Sequence, residues 1–428
     1  MTAQRKCSAE VTLVAIDVAK VWNVVLVEKP DGKRQRFRVA NTCADHDRLM
    51  LFLKNQGGEC RVAMEPTGNY HRPLAHRLLS EGFEVHLVSS VAAARFREAL
   101  FNSWDKNDPK DAAVILDMLK QGMVLSYYDP VTAGIHDLQE VSKTYVQVTL
   151  ARTRLQHSIL THYLPLYWPE FARYWHSSRA GWFASFLIRF PVPETLRRLD
   201  REAFIQEAWP LVGRKVSKRA KLEEIYELAG DTIALPIDPD GIAVQAFRLQ
   251  LERYLSLNRL RRQLETWAEE ALGSNTDSQL LRSIPGIGPV LALIILAEAG
   301  DLRRFSHHRQ FLKFCGLDLA KRQSGASRGK EHLSKRGNAR LRCAFWMAGT
   351  VAVRMRENSF RDKYERYIRS DPTDPDLKRK ALTAVMAKMA RVAYAVVKTG
   401  VPYRAYFEAA VPSGSILLRQ AVGAKRTS

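Results

Sequence analysis

Two short apolar runs early in the chain end on a carboxylate: "VTLVAID" stops at Asp17 and "CRVAME" at Glu65. Runs this short, bounded by turn residues, predict buried strands rather than helices. A charge ending a buried strand costs stability unless it is paired, so each acid needs a partner. Around them the pattern alternates. "WNVVLVEK", the turn "PDGKRQ" and "RFRVAN" predict a hairpin, and helices are predicted from Ala44 to Asn55 and from His71 to Ser80, before the strand "FEVHLVS". Another helix begins at "KNDPKDAAVILDMLKQG". Strands alternating with helices after a hairpin predict an α/β domain over residues 8–125.

That last helix carries Asp108 and Asp111, which share a face at this spacing. The plain explanation is structural: Asp108 caps the helix and Pro109 takes its first position. A capping carboxylate can still bind a cation. Neighbouring strand ends lie about 5 Å apart, so Asp17, Glu65, Asp108 and Asp111 are able to converge on one pocket. Such a pocket repels itself unless it holds divalent cations, and oxygen ligands suit Mg²⁺ or Mn²⁺. Two such ions about 4 Å apart are what phosphodiester cleavage uses.

The chain is basic, with 66 Lys and Arg against 45 Asp and Glu in 428 residues, a net charge of +21. That excess points to a polyanion, nucleic acid first. It concentrates in "KRQSGASRGKEHLSKRGNARLR", where small residues let a backbone approach a phosphate and Lys321, Arg322, Arg328, Lys330, Lys335, Arg336 and Arg340 neutralise it. A solvated loop accounts for many such stretches, but the apolar flanks "FLKFCGL" and "CAFWMAGTVAV" anchor this one on a core. Ser324, amid arginines, is then placed to attack phosphorus. Lys106 and Lys110 bracket the helix-opening acids as further phosphate contacts. Upstream, "IPGIGPVLA" matches a helix-hairpin-helix turn, in which backbone N–H groups at Gly286 and Gly288 face a DNA phosphate; a glycine-proline turn between packed helices reads the same way.

Two uninterrupted helical patterns, residues 136–164 and 243–272, predict arms that pack on each other or on a second subunit. Residues 165–240 between them are rich in aromatics and proline and predict a small helical insertion with no chemistry assigned. Five scattered cysteines lack disulfide or zinc spacing. No apolar run reaches the roughly 18 residues of a membrane span, and a cytoplasmic protein is expected. No GxxxxGK[ST] phosphate loop signals an energy source.

Together, "AIDVAK", "AMEPTGNY" and "KNDPKDA", followed by "IPGIGPVLA", "FLKFCGL", "QSG" and "LSKRGNARLR", resemble the DEDD transposases of bacterial insertion sequences, the insertion-sequence-110 family, and the related Piv-type DNA invertases. The resemblance implies an α/β RuvC-like (RNase H-type) domain over 8–125. It also implies a coiled-coil arm over 135–275, interrupted at about 165–240, and a mainly α-helical transposase domain over 278–410. It implies that Asp17, Glu65, Asp108 and Asp111 bind Mg²⁺ (or Mn²⁺). Ser324 would form a covalent serine–DNA intermediate, with acids and serine drawn from different subunits. The implied partners are double-stranded donor and target DNA, a structured noncoding bridge RNA, and a second copy of the chain, with pairing of dimers into tetramers left open. Such a protein is nucleoid-associated when active. Family members often carry a serine pair before the glycine where this chain has Gln323-Ser324, which leaves Ser327 as a second candidate nucleophile. Two other readings stay open: a metal-dependent nuclease or junction resolvase using water, and a non-catalytic nucleic-acid-binding protein.

Overall fold

The computed structural model describes residues 11–101, 108–175, 180–212, 217–320, 323–324, 327–328 and 331–405. The chain divides into two compact units, Met1–His136 and Asp137–Ser428.

The first unit is built from β1 (Val11–Asp17), β2 (Trp22–Glu28), β3 (Arg34–Ala40), α1 (Cys43–Lys54), β4 (Glu59–Glu65), α2 (His71–Ser80), β5 (Glu84–Leu87), α3 (Ser90–Phe101), α4 (Asp108–Lys120) and β6 (Leu125–Ser126). Its sheet has the order β3-β2-β1-β4-β5-β6. The first three strands form an antiparallel meander, β4 and β5 run parallel to β1, and β6 returns antiparallel. Strand alternation separates two cores. Val14, Ile16, Val62 and Met64 face Leu49, Leu53, Leu74 and Leu78 from α1 and α2. Ala15, Ala63, Val24 and Leu26 face Ala112, Ile115, Leu116 and Leu119 of α4. Both faces are covered, which is why β1 and β4 read as nearly continuous apolar runs.

Two elements are additional to those expected. The alanine-rich stretch of α3 carries no distinct apolar stripe, and β6 is only two residues long. The unit also extends past residue 125, because Tyr127 N donates to Val85 O at 2.8 Å and His76 Nδ1 lies 2.9 Å from Asp129 Oδ2.

In the second unit the expected arms are α5 (His136–Ser158) and α11 (Ile242–Leu272). They pack antiparallel: Tyr145 Oη meets Glu265 Oε1 at 3.2 Å, and Arg152 donates to Asn258 Oδ1 at 2.5 Å and Tyr254 Oη at 3.1 Å. Between them lie a π-helical turn (Ile159–Tyr163), α6 (Leu164–Tyr167), a 3-10 turn (Pro169–Tyr174), α7 (Ala180–Arg189), α8 (Pro193–Arg197), α9 (Arg201–Ala208) and α10 (Lys218–Gly230). These close on an aromatic core of Trp168, Phe171, Phe183, Phe186, Phe190 and Phe204 that also takes in Leu155 of α5 and Phe247 of α11. The presumed insertion is thus packed onto the arms themselves.

The remaining described helices of this unit are α12 (Thr276–Arg282), α13 (Pro289–Ala299), α14 (His308–Cys315), α15 (Ala339–Ala352), α16 (Ser359–Ile368) and α17 (Pro375–Thr399), around Leu293, Phe311, Phe345, Val385 and Met389. Where a basic loop was expected, two short antiparallel ladders form between α14 and α15. β7 (Leu319–Ala320) pairs with β10 (His332–Leu333), and β8 (Gln323–Ser324) pairs with β9 (Ser327–Arg328). Among the described residues no helix is long and apolar enough to cross a membrane.

Candidate active site

Asp17 and Glu65 are the last residues of β1 and β4, and they are direct register partners. Partners on adjacent strands share a face and sit about 4.8 Å apart. Their parity is that of Ala15 and Ala63, so both acids occupy the face that α4 covers. Both are half-buried.

The direction of α4 brings its acids to the same end. Its last residue is pinned by Lys120 Nζ, 2.6 Å from Glu28 Oε1, and Glu28 lies opposite Leu13. From Lys120 back to Asp111 the helix rises about 14 Å, and from Leu13 to Asp17 the strand rises about 13 Å. Asp111 therefore lies toward the end of the sheet at which β1 and β4 stop. Asp108 opens the helix one turn earlier, at the end whose dipole favours negative charge. Lys110 is half-buried in that first turn; Lys106 lies outside the described residues.

Asp111 is 2% exposed and faces Arg97 of α3, whose side chain is 13% exposed and whose Nη2 lies 2.6 Å from Asp111 Oδ1. The contact is close but out of line: neither Asp111 Oδ1 nor Arg97 Nε completes a hydrogen bond. Sequence reasoning missed Arg97, because its role exists only once α3 packs on α4. Among the described residues no group of three or more His, Cys, Asp or Glu is close enough to hold a metal ion. The structure brings together Asp17 and Glu65, and it gives Asp111 to Arg97. Carboxylate oxygens are the ligand type a hard divalent cation takes, but the described acids do not by themselves assemble a three-carboxylate site.

In the second unit Ser324 lies directly opposite Ser327 across the β8–β9 ladder, with Arg328 next in β9. Lys321, Arg322 and Lys330 lie outside the described residues. The base of this hairpin is a backbone crossing. Gly316 ends α14 at φ +67°, and a Cβ added to Gly337 would meet Gly316 N at 2.5 Å and Phe314 O at 2.6 Å. Asn338 N donates to Phe314 O at 2.7 Å, and the Asn338 side chain accepts from Arg340 N and Leu341 N, capping α15. Asn338 Nδ2 donates to Glu298 Oε2 at 2.7 Å, and Arg340 Nη1 lies 2.5 Å from Glu298 Oε1. All three of Lys335, Arg336 and Arg340 are exposed, and Arg340 is held by its ion pair with Glu298.

The two glycines of the "PGIGP" turn differ. Gly286 has φ +88°, and a Cβ there would sit 2.2 Å from Ala348 O and 3.0 Å from Ala352 N, so packing on α15 alone requires glycine. Gly288 is exposed, caps α13 and has open space above it, which leaves it the better placed of the two to meet a phosphate.

Comparison with known proteins adds an independent finding. A family model described as transposase of the IS116/IS110/IS902 family matches residues 278–365, and an IS110 DEDD transposase model matches residues 14–169. Between them they take in the four acids and Ser324. The chain is 24% identical over 355 residues to an uncharacterised protein of insertion element IS116 from Streptomyces clavuligerus, covering 82% of this chain and 86% of that one. It is 25% identical over 315 residues to the mini-circle putative transposase for IS117 of Streptomyces coelicolor, covering 71% and 75%. It is 28% identical over 130 residues to a pilin gene-inverting protein of Moraxella bovis, covering 30% and 39%.

Proposed function

This chain is a transposase that belongs to the IS116/IS110/IS902 family, and from that premise we propose that it cleaves and rejoins DNA with Ser324 as nucleophile and the β1–β4–α4 acids as its cation site. The observation that carries the reading is the register pairing of Asp17 with Glu65 on the face that α4 covers. An antiparallel meander followed by parallel strands, with helices on both faces, supports a RuvC-like (RNase H-type) first unit. Mg²⁺ or Mn²⁺ held by Asp17 and Glu65, with Asp108 and an Asp111 released from Arg97, would neutralise and polarise the scissile phosphate.

Ser324 supplies the nucleophile. Its Oγ bonds to phosphorus while the bond from phosphorus to one deoxyribose oxygen breaks; the serine proton leaves and that oxygen takes one up. Attack by the hydroxyl of another DNA end reverses the step and releases Ser324. One phosphodiester is exchanged for another, so no nucleotide hydrolysis is needed. Exposed Lys335 and Arg336 at the hairpin base neutralise DNA backbone. Acids and serine come from different copies of the chain in this reading. The charge of +21 supports simultaneous binding of DNA and a structured guide RNA.

The test uses the full chain, DNA carrying the element ends, and Mg²⁺, followed by denaturation and a search for protein-linked DNA. An adduct is expected from the wild type and from Ser327→Ala, and none from Ser324→Ala. Asp17→Asn and Glu65→Gln lose both adduct and cleavage. Cleavage without any adduct would replace serine by water as the nucleophile. Undiminished cleavage in Asp17→Asn would remove the acid site. RNA that co-purifies and restores activity after nuclease treatment tests the guide.

A further inference from the structure

Helices α16 and α17 flank an open concavity of about 660 Å³ lined by Lys363, Arg366, Tyr367 and Lys388. That volume is in the range of ligand-binding clefts. Its walls are short of negative charge. Burial first, and then Arg391 and Arg366, push the Lys363 ammonium below its ordinary pKa; burial and then Lys363 and Arg366 do the same to Lys388. Asp362 is the carboxylate that acts against this on Lys388, while Glu365 is taken by Arg361 at 2.6 Å. Three cations thus line the concavity, and Arg391 nearby adds a fourth positive charge acting on both lysines. The arrangement raises the energy of the empty site and lowers that of a site holding an anion.

The site is also built. Lys388 Nζ donates to Ser359 O and to Ser359 Oγ, both at 2.7 Å, and Ser359 Oγ is 2.9 Å from Tyr403 Oη. The lysine is held in place before any ligand arrives. Tyr367, 44% exposed, adds an aromatic face to a basic wall. Phosphate oxygens suit the cations, and an unstacked base suits the ring. The bases of a duplex are stacked on one another and offer no free face to Tyr367, whereas those of a single strand do. Arg366, Tyr367 and Lys388 all lie beyond residue 365, where the family match ends.

We propose that the α16–α17 cavity is a binding site for single-stranded nucleic acid, with Lys363, Arg366 and Lys388 on its phosphates and Tyr367 stacked on a base. The choice of nucleic acid as the anion rests on the transposase reading; the site itself does not depend on how cleavage occurs.

The experiment measures fluorescence anisotropy of short mixed-sequence DNA strands, RNA strands and duplexes. It is run without divalent cation, on full-length protein carrying Ser324→Ala, so that failure of the cleavage mechanism leaves it untouched. Removing two phosphate contacts in Lys363→Gln/Arg366→Ala is expected to lower the salt slope for single strands by about 1.4. Tyr367→Ala is expected to weaken single strands about tenfold while Tyr367→Phe does not. Duplex affinity stays unchanged. Preference for the DNA or the RNA strand identifies which nucleic acid fills the site. Unchanged slope and affinity in stably folded variants overturn the proposal. So do equal losses for duplex and single strands, or binding of inorganic phosphate alone. If Lys363→Gln/Arg366→Ala fails to fold, the Tyr367 pair still decides.

Discussion

Replacing Arg97 by methionine tests the contact that most affects the candidate site. Asp111 is 2% exposed and Arg97 13% exposed, so removing the guanidinium strands a buried carboxylate. Breaking a buried ion pair from one side costs about 3–5 kcal/mol. The off-line geometry puts this pair near the lower end, about 3 kcal/mol. For a unit of this size that lowers its melting temperature by roughly 10 °C. Arg97→Met/Asp111→Asn leaves no charge behind and returns to within about 1–2 kcal/mol of wild type. The assay is thermal unfolding of the full chain by circular dichroism, in chelator and in Mg²⁺. A cation that takes over the vacated partner role stabilises the single variant by about 2.7 kcal/mol at a hundred times its dissociation constant. Wild type gains less, because there the cation has to displace Arg97. A loss below about 1 kcal/mol in chelator, or a double variant no better than the single, refutes the buried-pair argument. Equal Mg²⁺ responses in wild type and Arg97→Met refute the exchange.

Gly286→Ala should destabilise the second unit by about 2–3 kcal/mol, since alanine is strained at positive φ and its Cβ meets α15 backbone, whereas Gly288→Ala should be close to neutral; urea unfolding separates them. Asp129 predicts an acid-sensitive component of stability. Burial pushes its carboxyl up, but hydrogen bonds from Thr132 and His76 outweigh burial and hold it at about 2 rather than 3.8. A folded pKa below the unfolded one contributes stability that is present above pH ~4 and lost as pH falls towards 2, here about 2 kcal/mol. Acid titration of unfolding should show that slope in wild type and a flatter profile in Asp129→Asn.

The sequence carries the first unit's local structure well, because local signals are strong there. Helix α2 spans the expected His71–Ser80, and both acid-ended runs are strands that stop on their acids. That Asp17 and Glu65 meet is a different kind of fact. It depends on β4 crossing over to pair with β1, and nothing in either run names its neighbour. Arg97 was hidden for the same reason, on a helix with no distinct apolar stripe. In the second unit the arms were readable from their length. The aromatic core between them was not, because its rings come from several short, separate elements and from the long arms, and nothing local brings them together. The hairpin carrying Ser324 read as loop because two-residue strands are too short to show alternation. Gly286 illustrates the converse: its motif suggested a ligand, and close packing on Ala348 already accounts for it.

The meeting of Asp17 and Glu65 is written in a ladder of backbone hydrogen bonds, not in either side chain. One residue gained or lost within β4 would swing Glu65 to the side of Val14 and Ile16, driving a charge among the leucines of α1 and α2 and turning Met64 beneath α4. A change of length in a loop outside the strand would leave that register intact. Within the strand there is no such tolerance, and an indel inside those residues would remove fold and chemistry together.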